Sequence, residues 1–256
     1  MKTVILCGGL GTRLSEETNL KPKPMVEIGN KPILWHVMNI YGMHGFKEFI
    51  LAAGYKNEYI KEYFLNYYNF QSDLTVHLKT GKIEVDHKTP KDWTVHIVDT
   101  GVKSMTGGRL FRLRDKLKNS AFMCTYGDGV ADVNIRKLLE FHKSHGKLAT
   151  ITAVKPAARF GAMQFEGSSA RVRSFSEKTQ MHEGWINGGF FVFEPEVLDY
   201  LKDESTILER DPLENLTKDG QLMAYKHEGF WHCMDTVRDR DVLNELIAKG
   251  KASWMK

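Results

Sequence analysis

Residues 3–24 read TVILCGGLGTRLSEETNLKPKP. The stretch opens on Thr3-Val4-Ile5-Leu6-Cys7, a mostly apolar run of strand length that contains no turn former. Gly8, Gly9 and Gly11 follow at once, with Leu10 among them, then Thr12 and Arg13; a basic pair, Lys21 and Lys23, alternates with Pro22 and Pro24. A buried strand that delivers a glycine loop leaves backbone N–H groups open to an anion, because no Cβ blocks the approach. Arg13 adds a planar, permanently charged fork that matches phosphate, and Lys23 adds a point charge. A tight turn would by itself account for the glycines. Joined to Thr12, Arg13 and Lys23, they point to a polyphosphate site.

Two better-known phosphate loops do not fit. The dinucleotide fingerprint asks for Gly-x-Gly-x-x-Gly/Ala, and counted from Gly9 and Gly11 its last position falls on Leu14. The Gly-Lys-Ser/Thr of a P-loop occurs nowhere in the chain.

With 256 residues the chain is long enough to bury a substantial core, as one large α/β domain or a domain with an appended lobe. Its 42% hydrophobic and 27% charged content is that of a soluble globular protein. The net charge of +4 is mild and the Lys and Arg residues are scattered, so no tract suits nucleic acid; small anionic substrates fit better. Cys7, Cys124 and Cys233 are odd in number, far apart and without a CxxC pair, which argues against a disulfide framework or zinc site and for buried, reduced thiols. The apolar run after Met1-Lys2 is too short for a signal peptide, and no stretch approaches the ~20 apolar residues of a membrane span. No membrane partner and a cytoplasmic location are expected.

Further along, Met25 to Ile28 reads as a short extended piece. Pro32 begins a helix in which Ile33, Leu34, Val37, Met38 and Tyr41 recur at helical spacing. Phe49 to Ala53 is a second buried strand. The next helix carries Tyr59, Ile60, Tyr63, Phe64 and Tyr67 on one face, a stripe whose period predicts core. Strand, glycine loop, helix, strand, helix is the order of an α/β fold, Rossmann-like, with a mostly parallel mixed sheet flanked by helices. Residues 70–99 break the rhythm. Leu74 to Leu78 and Lys82 to His87 alternate around Thr80-Gly81, predicting an inserted hairpin, followed by a strand from Val95 to Val98. The hairpin is either a plain surface ribbon or an arm that grips a neighbouring subunit.

Thr106-Gly107-Gly108-Arg109-Leu110 opens a helix, and Ala121 to Tyr126 is a buried strand ending in Gly127-Asp128-Gly129. Ligands of open α/β sheets collect outside the carboxyl ends of the strands, which puts Asp128 in the crevice of the first loop. Asn134 to Gly146 is a helix, with His142 at the core edge, and Leu148 to Val154 a strand. From Arg159 onward short strands take over, predicting a smaller mixed or antiparallel extension. It ends with a helix from Pro212 to Asp219, an extended Met223 to His227, and a last helix from Thr236 to Lys249.

Gly8-Gly9-Leu10-Gly11-Thr12-Arg13-Leu14, followed by Lys23-Pro24, resembles the sugar-1-phosphate nucleotidylyltransferases. The likeness runs over nearly the whole chain and is greatest to members that join CTP to glucose 1-phosphate. Cys7, where many relatives carry Ala, is a small departure. The resemblance implies one nucleotidyltransferase domain over 1–256, with a nucleotide-binding half at 1–150 and a sugar-phosphate-binding half at 151–256. It also implies a homo-oligomer, which favours the arm, and CDP-glucose made for a bacterial surface polysaccharide. The nucleotide would lie on Leu6, Cys7, Gly8, Gly9, Leu10, Gly11, Thr12, Arg13, Ser104, Gly108, Arg109, Gly127 and Asp128. The sugar phosphate would meet Lys23, Tyr126, Gly161 (after Phe160), Glu177, Lys178, Asn187 and Gly188. Arg13 and Lys23 would be catalytic.

Asp128 alone reads as a turn aspartate and Asp235 as an N-cap. A triphosphate substrate, however, brings a need for Mg²⁺, which favours one or two carboxylates plus phosphate oxygens and waters; the resemblance gives that role to both residues. It also makes Arg109 the base reader. Arginine only donates, and cytosine offers N3 and O2 as adjacent acceptors, where uracil replaces N3 with an N–H donor. A sugar phosphate, with a second pKa of about 6, is already ionised at neutral pH and needs no general base. Other readings remain: a uridylyl- or thymidylyltransferase on the same scaffold, a nucleotide-sugar-dependent glycosyltransferase, or a regulatory subunit. The last would be expected to lack Arg13, Lys23 or the aspartates, and all four are present.

Overall fold

In the computed structural model, the described residues are 1–11, 14, 20–86, 91–156, 162–165, 171–176 and 184–256. Their strands, in chain order, are β1 (Thr3–Leu6), β2 (Glu27–Ile28), β3 (Lys31–Pro32), β4 (Glu48–Ala53), β5 (Asp73–His77), β6 (Lys82–Asp86), β7 (Thr94–Asp99) and β8 (Phe122–Tyr126). β9 (Gly129–Ala131), β10 (Ala149–Val154), β11 (Ala162–Phe165), β12 (Val172–Ser176), β13 (Ile186–Phe193), β14 (Leu222–His227) and β15 (Trp231–Cys233) complete the set. Seven of them build the central sheet, in the order β14-β10-β13-β8-β1-β4-β7. All its pairs are parallel except the two made by β13, so one strand runs against the rest. The mostly parallel mixed sheet of the sequence reading is present.

The sheet is covered on both faces, which is why its strands read as continuous apolar runs and not as alternating ones. Ile5, Phe49, Leu51 and Met123 belong to one core cluster; their chain neighbours Val4, Ile50, Phe122 and Cys124 belong to the other. The first face is packed by the helices Ile33–Met43, Ile135–His145 and Val237–Ala248, the second by Thr106–Arg112 and Asp211–Lys218. Fully burying each such aliphatic or aromatic side chain is worth ~1.5–3 kcal/mol. Two helix starts carry local signals. The Asn134 side chain accepts the Lys137 N–H, and Thr236 and Asp239 form a capping box. The N-cap of the last helix is therefore Thr236, and Asp235, just outside it, is left for other work.

Three expectations need correction. The aromatic stripe is only partly core: Ile60 is fully buried, Tyr63 and Phe64 pack half-buried against the core, and Tyr59 is 41% exposed. The segment breaks at Asn66 into the helices Asn57–Leu65 and Tyr67–Gln71, and the second has no buried residue. Helical period reports that one face is apolar, not what lies against it. Cys233 is half-buried, unlike Cys7 and Cys124. Lastly, β13 and β14 belong to the central sheet; of the strands after residue 160, only β11–β12 and β15 lie outside it. The inserted hairpin is β5–β6, with every strand residue exposed except Val85. No described helix is long and apolar enough to cross a membrane.

Candidate active site

A cleft of about 790 Å³ opens at the carboxyl ends of β1 and β8. Leu6, Cys7, Gly8, Gly9, Leu10 and Gly11 line one wall; Ser104, Arg109, Tyr126, Gly127, Asp128 and Lys23 line the rest. The glycine loop thus faces open space. Gly11 has φ +65°, a region that favours glycine. At Gly8 a Cβ would stand 2.0 Å from the Arg109 guanidinium, so no larger residue fits.

Arg109 explains that contact. It is 4% exposed, and its Nη2 donates to the Gly8 carbonyl at 2.7 Å. Its Nη1 donates to Thr100 Oγ1 (2.7 Å), the Gly101 carbonyl (2.9 Å) and the Ala53 carbonyl (3.2 Å). Both terminal nitrogens are committed to protein acceptors. The resemblance made Arg109 the base reader; the structure uses most of its fork to brace the glycine loop against the ends of β4 and β7. Burial lowers its pKa, partly offset by the charge of Asp99. Ser104, by contrast, is buried in the cleft wall, and its hydroxyl has no partner among the described residues.

Lys23 sits at the other end. Its ammonium contacts Asp128 Oδ2 at 2.6 Å and Asp235 Oδ1 at 2.7 Å. The three side chains are 12%, 26% and 15% exposed, so the cluster is largely withdrawn from water. Burial alone would depress the lysine pKa; the charge of Asp128 and the hydrogen bonds to both carboxylates outweigh it and raise the value. The backbone reason for the meeting is local. β9 and β15 pair antiparallel with Gly129 opposite Cys233, and the Met234 N–H donates to the Asp128 carbonyl at 2.9 Å. Asp128 and Asp235 flank that pair, which brings them together from distant parts of the chain.

These residues fit a magnesium ion. Two carboxylates already share a cation, the Lys23 ammonium, and oxygen is the donor that magnesium prefers. Cys233 offers its sulfur within the same cluster. Burial first, and the charge of Asp128 second, raise its pKa, so it stays a neutral thiol and a poor partner for a hard cation.

The sugar-side residues are only partly described. The Asn187 Nδ2 donates to Tyr126 Oη at 3.1 Å, which sets Asn187 beside the cleft wall. The Gly188 carbonyl accepts the Trp231 indole N–H at 2.8 Å, tying the start of β13 to β15. Gly108 does not line the cleft; a Cβ there would meet the Glu204 carbonyl at 1.9 Å, so it serves close packing. Thr12, Arg13, Phe160, Gly161, Glu177 and Lys178 lie outside the described residues. Sequence reasoning missed Cys233 and Glu209, the latter linking Thr106 to Tyr126. Glu209 lies in an irregular segment with no periodicity, so no pattern signals it.

A glycine loop at a strand end, with a lysine and two aspartates beside it, suits a charged phosphate chain. The nucleotidyl transferase pattern matches residues 2–239. The chain belongs to the nucleotidyl transferase family. It is 54% identical to the glucose-1-phosphate cytidylyltransferase of Salmonella typhi, over 99% of this chain and 98% of that protein. It is 46% identical to a probable glucose-1-phosphate cytidylyltransferase of Bacillus subtilis, over 99% of each. Among solved structures, the crystal structure of HddC from Yersinia pseudotuberculosis has the same fold (TM-score 0.70, 24% identity, covering 96% of this chain and 99% of that one).

Proposed function

We propose that the protein transfers a cytidylyl group from CTP to glucose 1-phosphate, forming CDP-glucose and pyrophosphate. A phosphate oxygen of the sugar attacks the α-phosphorus of CTP. The new P–O bond forms in line with the bond to pyrophosphate, which breaks as its electron pair leaves with the departing group. No proton needs to be removed from an already ionised phosphate, so the protein's work is positioning and neutralising charge.

The observation that carries this reading is the convergence of Lys23, Asp128 and Asp235 beside the glycine loop. Backbone N–H groups of Gly8, Gly9 and Gly11 face the phosphate chain. Arg13, from the sequence, adds charge to the same phosphates. Asp128 and Asp235 would hold Mg²⁺, which would supply charge neutralisation on the triphosphate. Lys23, held between these carboxylates, would be the cation that pairs with the reacting phosphates. The orphan hydroxyl of Ser104 supports a base or ribose contact, and Arg109 keeps the loop in shape, with its remaining donors for the base. Glu177, Lys178, Gly161, Tyr126, Asn187 and Gly188 form the sugar side, in the half 151–256, with the nucleotide in the half 1–150. The choice of cytosine and glucose rests on the 54%-identical relative. The reaction belongs in the cytoplasm.

The chain further forms a homo-oligomer through β5–β6. Leu74 faces Val85 and Val76 faces Ile83, an apolar ribbon face that an isolated two-stranded hairpin does not stabilise by itself.

Pyrophosphate release from glucose 1-phosphate is to be followed with CTP, UTP, dTTP, ATP and GTP, with and without Mg²⁺. Release with CTP that requires the ion is expected. A preference for UTP overturns the base assignment, and silence with every nucleotide overturns the reaction.

A further inference from the structure

Glu209 is exposed, stands outside the cleft lining, and yet ties both of its walls together. Tyr126 Oη donates to its Oε1 at 2.5 Å, and Thr106 Oγ1 donates to its Oε2 at 2.6 Å. The two hydroxyls come from different parts of the fold. Thr106 opens the helix that carries Arg109, and Tyr126 ends β8, two residues before Asp128.

The direction of every bond in the network is forced. A carboxylate can only accept, so both hydroxyl protons must point at Glu209. Tyr126 Oη is then left as an acceptor, and the Asn187 Nδ2 donates to it at 3.1 Å. This fixes which end of the Asn187 amide is which: its Oδ1 accepts the Gly189 N–H at 2.8 Å. On the other arm, Thr106 Oγ1 accepts the Leu208 N–H at 2.9 Å, which locks the helix start to the segment before Glu209. Burial, and next the charge of Glu209, raise the Tyr126 pKa and keep its proton in place.

We propose that Glu209 is a positioning residue for both substrates, orienting the Asn187 amide on the sugar side through Tyr126 and the Thr106–Arg112 helix on the nucleotide side through Thr106. The inference rests on the nucleotidyl transfer reading given above. Glu209 touches no reacting atom; it sets the polarity of groups on the two substrate-binding walls.

The two arms are separable by mutation of the full chain. Tyr126→Phe should raise the KM for glucose 1-phosphate roughly threefold to tenfold, the size of one lost hydrogen bond, and leave CTP affinity unmoved. Thr106→Val should weaken CTP by a similar factor and spare the sugar. Glu209→Ala should do both, and Tyr126→Phe added to it should cost the sugar nothing more. Glu209→Gln, which keeps the shape but replaces one acceptor by a donor, should weaken only one arm. Calorimetric binding of CTP and of glucose 1-phosphate, each alone, is to be read beside kcat and KM. Both constants of Glu209→Ala staying within twofold of the parent would overturn the proposal. So would Tyr126→Phe and Thr106→Val each moving both substrates equally in step with a lower melting temperature, the mark of a merely structural role. A parent protein that releases no pyrophosphate from CTP and glucose 1-phosphate would instead refute the reaction, and the two binding constants would still read the network.

Discussion

The crevice and the far edge of the sheet invert the usual distribution of polarity. In the crevice, Arg109, Lys23, Asp128 and Asp235 are buried or nearly so, and each is paired. At the edge, Leu65, Phe70 and Leu78 are 83%, 61% and 91% exposed, and Phe64, Tyr67 and Trp93 line an open apolar hollow. Exposed single apolar residues need no explanation, but a contiguous set of them does, as does a buried cluster of charges. The proposed function gives each a use: a charged ligand in the crevice, and a second copy of the chain against the apolar edge.

The largest effect expected from breaking this contrast is at Lys23. Lys23→Ala should lower kcat by ~10²–10³-fold while glucose 1-phosphate binding weakens far less. Steady-state kinetics with saturating CTP will tell, and an unchanged kcat would remove Lys23 from the transition state. Next comes Arg109→Met, which strands the Gly8 and Gly101 carbonyls and should cost ~2–4 kcal/mol in urea unfolding. A loss under half that size would mean the loop braces itself.

A similar amount is expected from pH. Burial lowers the His36 pKa from 6.5 to about 4, against the hydrogen bond with the Ile28 carbonyl. Trp254 only donates, so its Nε1–H requires His36 Nδ1 to be the acceptor, and Nε2–H then serves Ile28. Between pH 6.5 and 4 the unfolded chain takes up a proton that the folded one refuses. Stability is therefore full above that window and falls through it by up to ~3 kcal/mol as the solution is acidified. Replacing His36 by Phe should flatten the slope; a slope that persists must belong to other groups. The smallest effect on monomer stability, within ~0.5 kcal/mol, is expected of Leu74→Ser with Ile83→Ser on the hairpin. The same pair should reduce the mass measured by light scattering, and an unaltered mass would return β5–β6 to a plain ribbon.

What the sequence made legible follows from how local each signal is. The β1–glycine–Lys23 segment declares itself because strand, loop and charges are contiguous. Asp128 is readable because a strand end in an α/β sheet has a known use. Asp235 was ambiguous, since an acid before a helix also caps it; only the Thr236–Asp239 capping box resolves that. Arg109 does line the cleft, but its burial leaves it less freedom than a base reader needs. The aromatic stripe misled because periodicity counts faces and cannot see the neighbour. Glu209 was invisible, for its partners lie 103 and 83 residues away and no pattern links them.

The pairing of β9 with β15 has a consequence for the order in which competence appears. The loop, the lysine and the first acid are all made in the first half of translation, but the second acid arrives only when residue 235 does. Until then Lys23 has only one of its two acidic partners, and β9 has no strand to pair with. Under the proposed chemistry, the cation site is therefore among the last parts of the molecule to be completed as the chain is made.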